Sequence, residues 1–331
     1  MHSFKPRVRS ETPGALYLGP GAEPSPGYKL VRMRGRGGFA EVWEATAPNG
    51  PPVALKFVLS SNAASSAKEI RAIQSFQPMD HPYIVKTHGV WTAPGYVVIS
   101  MELADASLLD LMLLYHNDLG QHVDPKTLGL HLWQVADALD HLNARIHKRD
   151  GRKVGFQHGD VKPNNVLLFG DVAKLTDHGM ATPTNGPVTP CPRAGTKEYA
   201  APEVFQGYLT ATSDQYSLAV TYYVLRTGTF PVATATDPAR SSFRPAVELP
   251  GVLPAEQKAL TRGLSAVPQD RFPSCCDLMR ALLQAHGLRP ARDGDGPWRL
   301  VRDDSPPVAD PPLSKLRTRL GISPGRDSKG G

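Results

Sequence analysis

The sequence predicts an α+β chain: a small antiparallel sheet with one main helix, followed by a larger, mainly helical half. Three observations carry this reading. Between Tyr28 and Met101, β-branched and aromatic residues gather in short runs broken by glycine clusters and by the turn Pro48-Asn49-Gly50-Pro51. From about residue 105 the apolar residues recur at spacings of three or four, the period of a helix. The 32 prolines and 30 glycines among 331 residues exceed average usage and many sit at the two ends, which sets a compact middle apart from its arms.

Taken in order, residues 1–26 carry Pro13, Gly14, Gly19, Pro20, Gly21, Pro24 and Pro26 and read as a flexible arm. Tyr28–Arg34, Glu41–Thr46, Val53–Leu59 and Tyr96–Met101 read as strands. Ala67–Phe76 reads as a helix with Ile70, Ile73 and Phe76 on one face. Asp124-Pro125 is a helix start, an N-cap followed by proline in the first turn. Leu128, Leu132, Val135, Leu139 and Leu142 then mark a long buried helix ending near Asn143–His147. Val166–Phe169 and Val172–Leu175 form a hairpin about Gly170-Asp171. Tyr216–Leu225, apolar nearly all round, predicts a central helix. Ala255–Leu264 and Ser274–His286 are amphipathic helices. Residues 288–331, with Pro306-Pro307 and Pro311-Pro312, are expected to be a disordered tail. The compact domain therefore spans 27–287, its sheet half about 27–101 and its helical half about 105–287.

Composition narrows the function classes. The net charge is +6 and the pI about 9.2, but the arginines are scattered and no aromatic-basic interleaving occurs, so no specific nucleic-acid partner is expected. Cys191, Cys275 and Cys276 offer neither the spaced pairs of a zinc site nor a disulfide framework, which points to a reducing cytoplasm. No stretch reaches the ~18 apolar residues of a membrane span. The basic start is followed by no apolar run and is not a secretory signal. The oligomeric state is left open.

Four groups of residues point to chemistry. Gly35, Gly37 and Gly38 lie between two predicted strands rather than between a strand and a helix, which argues against a dinucleotide fingerprint or a P-loop. Such a hairpin can fold over a polyphosphate, because missing side chains let backbone N–H groups come close. Lys56 ends the apolar run Val53-Ala54-Leu55 and needs an anion, for which Glu69 on the following helix is the candidate. His158-Gly159-Asp160-Val161-Lys162-Pro163-Asn164-Asn165 packs an acid, a lysine and an amide between a helix and a buried strand. Buried polar groups are costly unless paired, so core packing does not call for them. Phosphoryl transfer needs all three, to orient a hydroxyl, steady the phosphate and hold a hard cation. Asp177, at a strand end, suits cation ligation.

With Gly195-Thr196, Tyr199-Ala200-Ala201-Pro202-Glu203, Ser213-Asp214-Gln215-Tyr216 and Asp270-Arg271-Phe272 following in order, the chain resembles the bacterial serine/threonine protein kinases with a eukaryotic-like catalytic domain. The resemblance covers about 28–286 and implies the two-lobed protein-kinase-like fold, with Mg-ATP (Mn2+ in place of Mg2+ at need) as phosphoryl source and protein serine or threonine hydroxyls as acceptors. By the same resemblance Lys56 holds the α- and β-phosphates and pairs with Glu69. Asp160 is the catalytic base and Lys162 the phosphate-steadying lysine, while Asn165 and Asp177 are metal ligands. Val42, Ala54, Met101 and Leu167 wall the adenine, and Glu102 to Ala104 form the linker that meets the purine edge. Glu203 with Arg271 is implied as a structural ion pair, and Asp214 as the brace of the catalytic loop.

The chain departs from the family pattern at four places. Ala40 replaces the third loop glycine, Gly159 replaces the arginine before the base, His178 replaces the phenylalanine after the metal aspartate, and Glu69 follows Lys56 more closely than usual. The Gly159 replacement removes the usual partner of an activation-loop phosphate, so activity independent of phosphorylation at Thr182, Thr184 or Thr189 is expected. Two alternatives stand beside the protein kinase: a pseudokinase scaffold, and a small-molecule phosphotransferase, which shares His-Gly-Asp but usually lacks the equivalents of Lys162 and of the Pro202-Glu203 segment.

Overall fold

The computed structural model describes residues 16–38, 40–60, 70, 80–149, 151–191, 195–233 and 247–302. They divide into two compact units, one drawn from Met1–Pro78 with Lys86–Leu103, the other from Met79–Val85 with Ala104–Gly331.

The first unit is a five-stranded antiparallel sheet of β1 (Lys29–Arg36), β2 (Ala40–Thr46), β3 (Val53–Leu59), β4 (Thr87–Ala93) and β5 (Tyr96–Glu102), in the order β1-β2-β3-β5-β4. Alternation along the strands gives the sheet two different faces. On one, Leu30, Trp43, Ala45, Val53, Leu55, Phe57, Tyr96 and Val98 form a continuous buried cluster. The register sets Val42 opposite Lys56 and Ala54 opposite Met101, so these four residues share the other face. Strand β4 is absent from the sequence reading: Thr87-His88-Gly89 has little β character, and it is recruited by a ladder along β5 that is irregular only between Thr87 and Gly89. The helix read over Ala67–Phe76 lies outside the described residues, apart from Ile70, which is helical.

The expectation of a structureless arm over 1–26 is corrected from residue 16 onward. Leu16, Leu18 and Ala22 pack on the buried cluster, Gly21 and Leu30 exchange backbone hydrogen bonds with their neighbours across the turn, and Trp91 Nε1 donates to Ser25 Oγ at 2.6 Å. Three apolar side chains outweigh the local proline and glycine signal.

The second unit begins with the short strand β6 (Ala106–Ser107) and helix α1 (Leu108–Leu119), capped by a reciprocal pair in which Ser107 Oγ accepts from the Asp110 N–H and Asp110 accepts from the Ser107 N–H. Helix α2 (Pro125–Asn143) starts as read, with Asp124 accepting from the N–H groups of Lys126 and Thr127 at 3.0 Å. Its leucine stripe, Leu128, Leu132, Leu139 and Leu142, is fully buried. After α2 the chain makes a hairpin that the sequence reading lacks, β7 (His147–Arg149) with β8 (Arg152–Gln157). Strands β9 (Val166–Phe169) and β10 (Val172–Leu175) form the expected hairpin, and β11 (Thr182–Thr184) pairs with β8. A short helix α3 (Pro202–Phe205) precedes α4 (Ser213–Thr227), buried without a break from Ser213 to Leu225 as a central helix should be. Helices α5 (Pro254–Gly263) and α6 (Cys275–Gln284) complete the helical part.

The tail expected from residue 288 is likewise corrected over its first part. Leu288–Ala291 and Arg299–Arg302 form an antiparallel hairpin. It packs on α2: Leu300 stands beside Leu283 of the last helix over the missing side chain of Gly129, Trp298 meets Trp133 edge-on at 5.3 Å, and Trp298 Nε1 donates to Asp137 at 3.0 Å. One tryptophan and two buried leucines anchor a segment whose composition reads as disordered. Residues beyond 302 lie outside the described part.

Candidate active site

In the second unit, β8 delivers the chain to Asp160 and a set of distant groups holds it there. Gln157 accepts from the Asp214 N–H at 3.0 Å, and the Asp214 carboxylate accepts from the N–H groups of His158 at 2.6 Å and Gly159 at 2.9 Å. Asp214 thus braces both residues before Asp160 from the first turn of α4. His158, fully buried, donates from Nε2 to the Thr176 carbonyl at 2.9 Å while Nδ1 accepts from the Asp160 N–H at 3.3 Å, which fixes its tautomer.

Gly159 has a φ of 79°, in the left-handed region. Its glycine therefore serves the backbone as well as removing an arginine, since a side chain there is strained. Gly195 has the same need for a second reason: at φ 99° a Cβ would stand 2.7 Å from the Gly159 carbonyl oxygen, where the two loops cross.

That crossing brings Thr196 onto Asp160. Oδ1 of Asp160 accepts from the Thr196 hydroxyl at 2.8 Å and the Thr196 N–H at 3.1 Å. Oδ2 meets Lys162 Nζ at 2.7 Å and accepts from Asn165 Nδ2 at 2.9 Å. Lys162 also donates to Thr196 Oγ1 at 2.7 Å, and Asn165 Nδ2 also donates to the Asp160 carbonyl at 2.8 Å. Burial pushes the Asp160 carboxyl up, but the hydrogen bonds of Lys162 and Thr196 and the charge of Lys162 outweigh it, leaving the group below its ordinary range. Asp160, Lys162 and Asn165 are therefore brought together as the sequence reading has them. Thr196, which the sequence reading named only as part of the motif Gly195-Thr196, joins them as a site residue.

Asp177 follows β10, and the Thr176 N–H ahead of it donates to the Asn165 carbonyl at 3.0 Å. Asp177 is the one described non-glycine residue with a left-handed backbone, φ 66°. Such a conformation costs about 1–3 kcal/mol and gathers at functional sites. Among the described residues no group of three or more His, Cys, Asp or Glu side chains could hold a metal by itself. Asp177 and the side-chain oxygen of Asn165 instead match a small hard cation that takes one or two protein oxygens and completes its shell with phosphate and water. Leu167 is half-buried on β9.

In the first unit, Val42, Ala54, Lys56 and Met101 share the sheet face opposite the apolar cluster. Gly35 lies at the end of β1, and the Gly37 N–H donates to the Ala40 carbonyl at 2.8 Å. A methyl at Gly35 or Gly38 meets nothing within 4 Å, so the fold itself does not demand glycine there. The Glu102 N–H donates to the Lys86 carbonyl at 3.1 Å and its side chain accepts from the Lys86 N–H at 2.8 Å; Ala104 opens the second unit. Glu69 lies outside the described residues.

The family model for the protein kinase domain matches residues 28–287. The serine/threonine-protein kinase PknE of Mycobacterium tuberculosis is 29% identical over 289 residues, covering 83% of this chain and 48% of that protein. PknD of the same species is 32% identical over 270 residues, covering 76% of this chain and 38% of that protein. The chain thus spans half or less of these relatives. The crystal structure of the M. tuberculosis PknI kinase domain superposes with a TM-score of 0.62 at 27% identity, covering 82% of this chain and 100% of that one.

Proposed function

This chain belongs to the protein kinase family, its relatives being the eukaryotic-like serine/threonine kinases of mycobacteria, and we propose that it transfers the γ-phosphate of ATP to serine and threonine hydroxyls of proteins. The observation that carries the reading is the closed network of Asp160, Lys162, Asn165 and Thr196. The Thr196 hydroxyl makes to Asp160 the hydrogen bond that an acceptor serine or threonine would make. Asp160, held ionised by Lys162 and Thr196, orients the incoming hydroxyl and takes its proton. Lys162, two residues on, places an ammonium where it offsets charge on the moving phosphoryl group. Gly35, Gly37 and Gly38, with no steric reason of their own to be glycine, let backbone N–H groups approach phosphate. Lys56 takes the α- and β-phosphates with Glu69 as its partner. Val42, Ala54, Met101 and Leu167 wall the adenine, and Glu102 and Ala104 offer backbone to the purine edge. Asn165 and Asp177 hold magnesium, or manganese, which when bound draws charge from the phosphate oxygens.

The scaffold reading is not favoured, because Lys56, Asp160, Asn165 and Asp177 all keep the groups that meet phosphate or metal. A small-molecule acceptor is disfavoured by Thr196, which brings an activation segment onto Asp160, and by Glu203, whose pairing with Arg271 anchors the end of that segment. Radiolabelled ATP with a generic basic protein decides the matter. Wild type is expected to label the protein and Asp177→Asn to fall by about a hundredfold or more; nucleotide binding with no transfer above that variant would establish the scaffold.

We further propose that activity needs no phosphate on the activation segment. Thr184 is buried and paired with Gly155 on β8, and Gly159 offers no cation. Replacing Thr182, Thr184 and Thr189 together with alanine is expected to leave kcat within about threefold, whereas a loss of about a hundredfold would end the idea. No described helix is long and apolar enough to cross a membrane, and we place the enzyme in the cytoplasm on its thiol usage.

A further inference from the structure

The hairpin β7–β8 stands beside the activation segment and is the most basic stretch of the second unit. Residues 145–153 carry Arg145, Lys148, Arg149, Arg152 and Lys153 against the single acid Asp150. Arg149 and Arg152 are cross-strand partners, and both are exposed. On the other side of β8, β11 is paired through Thr184 to Gly155, and continuing that register sets Asn185 beside Val154. Arg149, Arg152, Val154, Pro183 and Asn185 together line an open pocket of about 350 Å³. Two guanidinium forks above an apolar floor and an amide suit carboxylates, which they can bind in pairs.

We propose that this pocket takes an acidic stretch of the protein substrate, an inference that rests on the protein kinase reading. The placement argues for substrate rather than for another acidic partner. Strand β8 runs from Arg152 to Gln157 and continues through His158 and Gly159 into Asp160, while the second wall, β11, belongs to the segment that leads to Thr196. At about 3.3 Å per strand residue, the pocket lies on the order of 20 Å from Asp160 along this path. About six to eight residues of extended peptide cover that span. The pocket therefore reads carboxylates that distance from the acceptor hydroxyl, and it sets KM without touching the transferring phosphate.

The test uses the full chain and serine peptides carrying three glutamates at about three, about seven or about twelve positions from the acceptor, each beside its glutamine counterpart. The spacing of about seven is expected to lower KM about tenfold relative to its glutamine control. Arg149→Gln with Arg152→Gln should abolish that difference while leaving kcat and the KM for ATP unchanged, and Arg149→Lys with Arg152→Lys, which keeps the charge but loses the fork, should keep only part of it. An unchanged glutamate advantage in the glutamine variant overturns the proposal, as does an equal loss for glutamate and glutamine peptides. Anisotropy of a labelled glutamate peptide reads the pocket without turnover. Arginine-dependent peptide binding by an inactive wild type would overturn the kinase reading while leaving the pocket intact. Arginine-dependent binding to anionic lipid vesicles with no preference for acidic peptide would replace the substrate with a membrane.

Discussion

Asp160→Asn is expected to lower kcat by about 10³-fold while leaving ATP affinity nearly unchanged, since a positioned general base is worth about 10²–10⁴-fold. The substitution keeps the size of the side chain and removes its charge. Lys162 Nζ, now 2.7 Å from Oδ2, loses its counter-ion, and the Asn165 amide, now 2.9 Å from Oδ2, loses a charged acceptor. One side-chain position becomes an NH2 group that faces either the donors of Thr196 or those of Lys162 and Asn165. The acceptor hydroxyl then finds a weaker acceptor and no proton sink. ATP is bound by other residues in the proposed scheme, so nucleotide affinity, measured by calorimetry, separates the two outcomes. Equal losses in binding and turnover would make Asp160 a structural residue.

The second large effect is on stability. Arg271→Ala is expected to cost about 3–5 kcal/mol in urea unfolding, the usual result of stranding one member of a buried ion pair. Glu203 and Arg271 have side chains 1% and 0% exposed, joined by two hydrogen bonds of 2.7 and 2.8 Å. Arg271 also donates to the carbonyls of Thr212 and Ser265, and Ser213 donates to Glu203, so the pair ties α3 to the start of α4 and to the loop before α6. Arg271→Met with Glu203→Leu removes both charges and is expected to be less destabilised than Arg271→Ala alone. A single variant within about 1 kcal/mol of wild type would show that the pair adds nothing.

The pair also sets a pH dependence. Burial pushes the Glu203 carboxyl up, but the Arg271 hydrogen bonds and charge outweigh it and hold it below the ordinary glutamate value. A depressed carboxyl contributes stability that is complete above the unfolded value and lost as pH falls through the folded one. Wild type should therefore lose this contribution below about pH 4.5, and the doubly apolar variant should show a flatter profile over that window.

Much of the site was legible because its chemistry is written in short, local runs. Gly35 to Gly38, Lys56, Asp160 with Lys162 and Asn165, and Asp177 each announce themselves as polar or glycine groups where packing alone has no use for them. The helix starting at Pro125 was legible for a related reason, since capping and the 3.6-residue period involve only near neighbours, and the body of the central helix was legible from the apolar run Tyr216–Leu225. The basic hairpin β7–β8 was missed because its few residues are polar and its pairing partner, β11, comes much later in the chain. The ordered stretches 16–26 and 288–302 were missed because one tryptophan or a few leucines hold each against a distant surface, and composition averages such anchors away.

By itself, then, the sequence determined which polar and glycine groups stand where packing has no use for them and which segments carry them. The tertiary structure alone decided how they are held. Thr196, 36 residues from Asp160, caps its carboxylate; Asp214, 55 residues from Gly159, fixes the turn that aims it; and the crossing of two left-handed glycines makes both contacts possible. Local chemistry selects residues, but hydrogen bonds between remote segments depend on register and crossing, which appear only once the chain is folded.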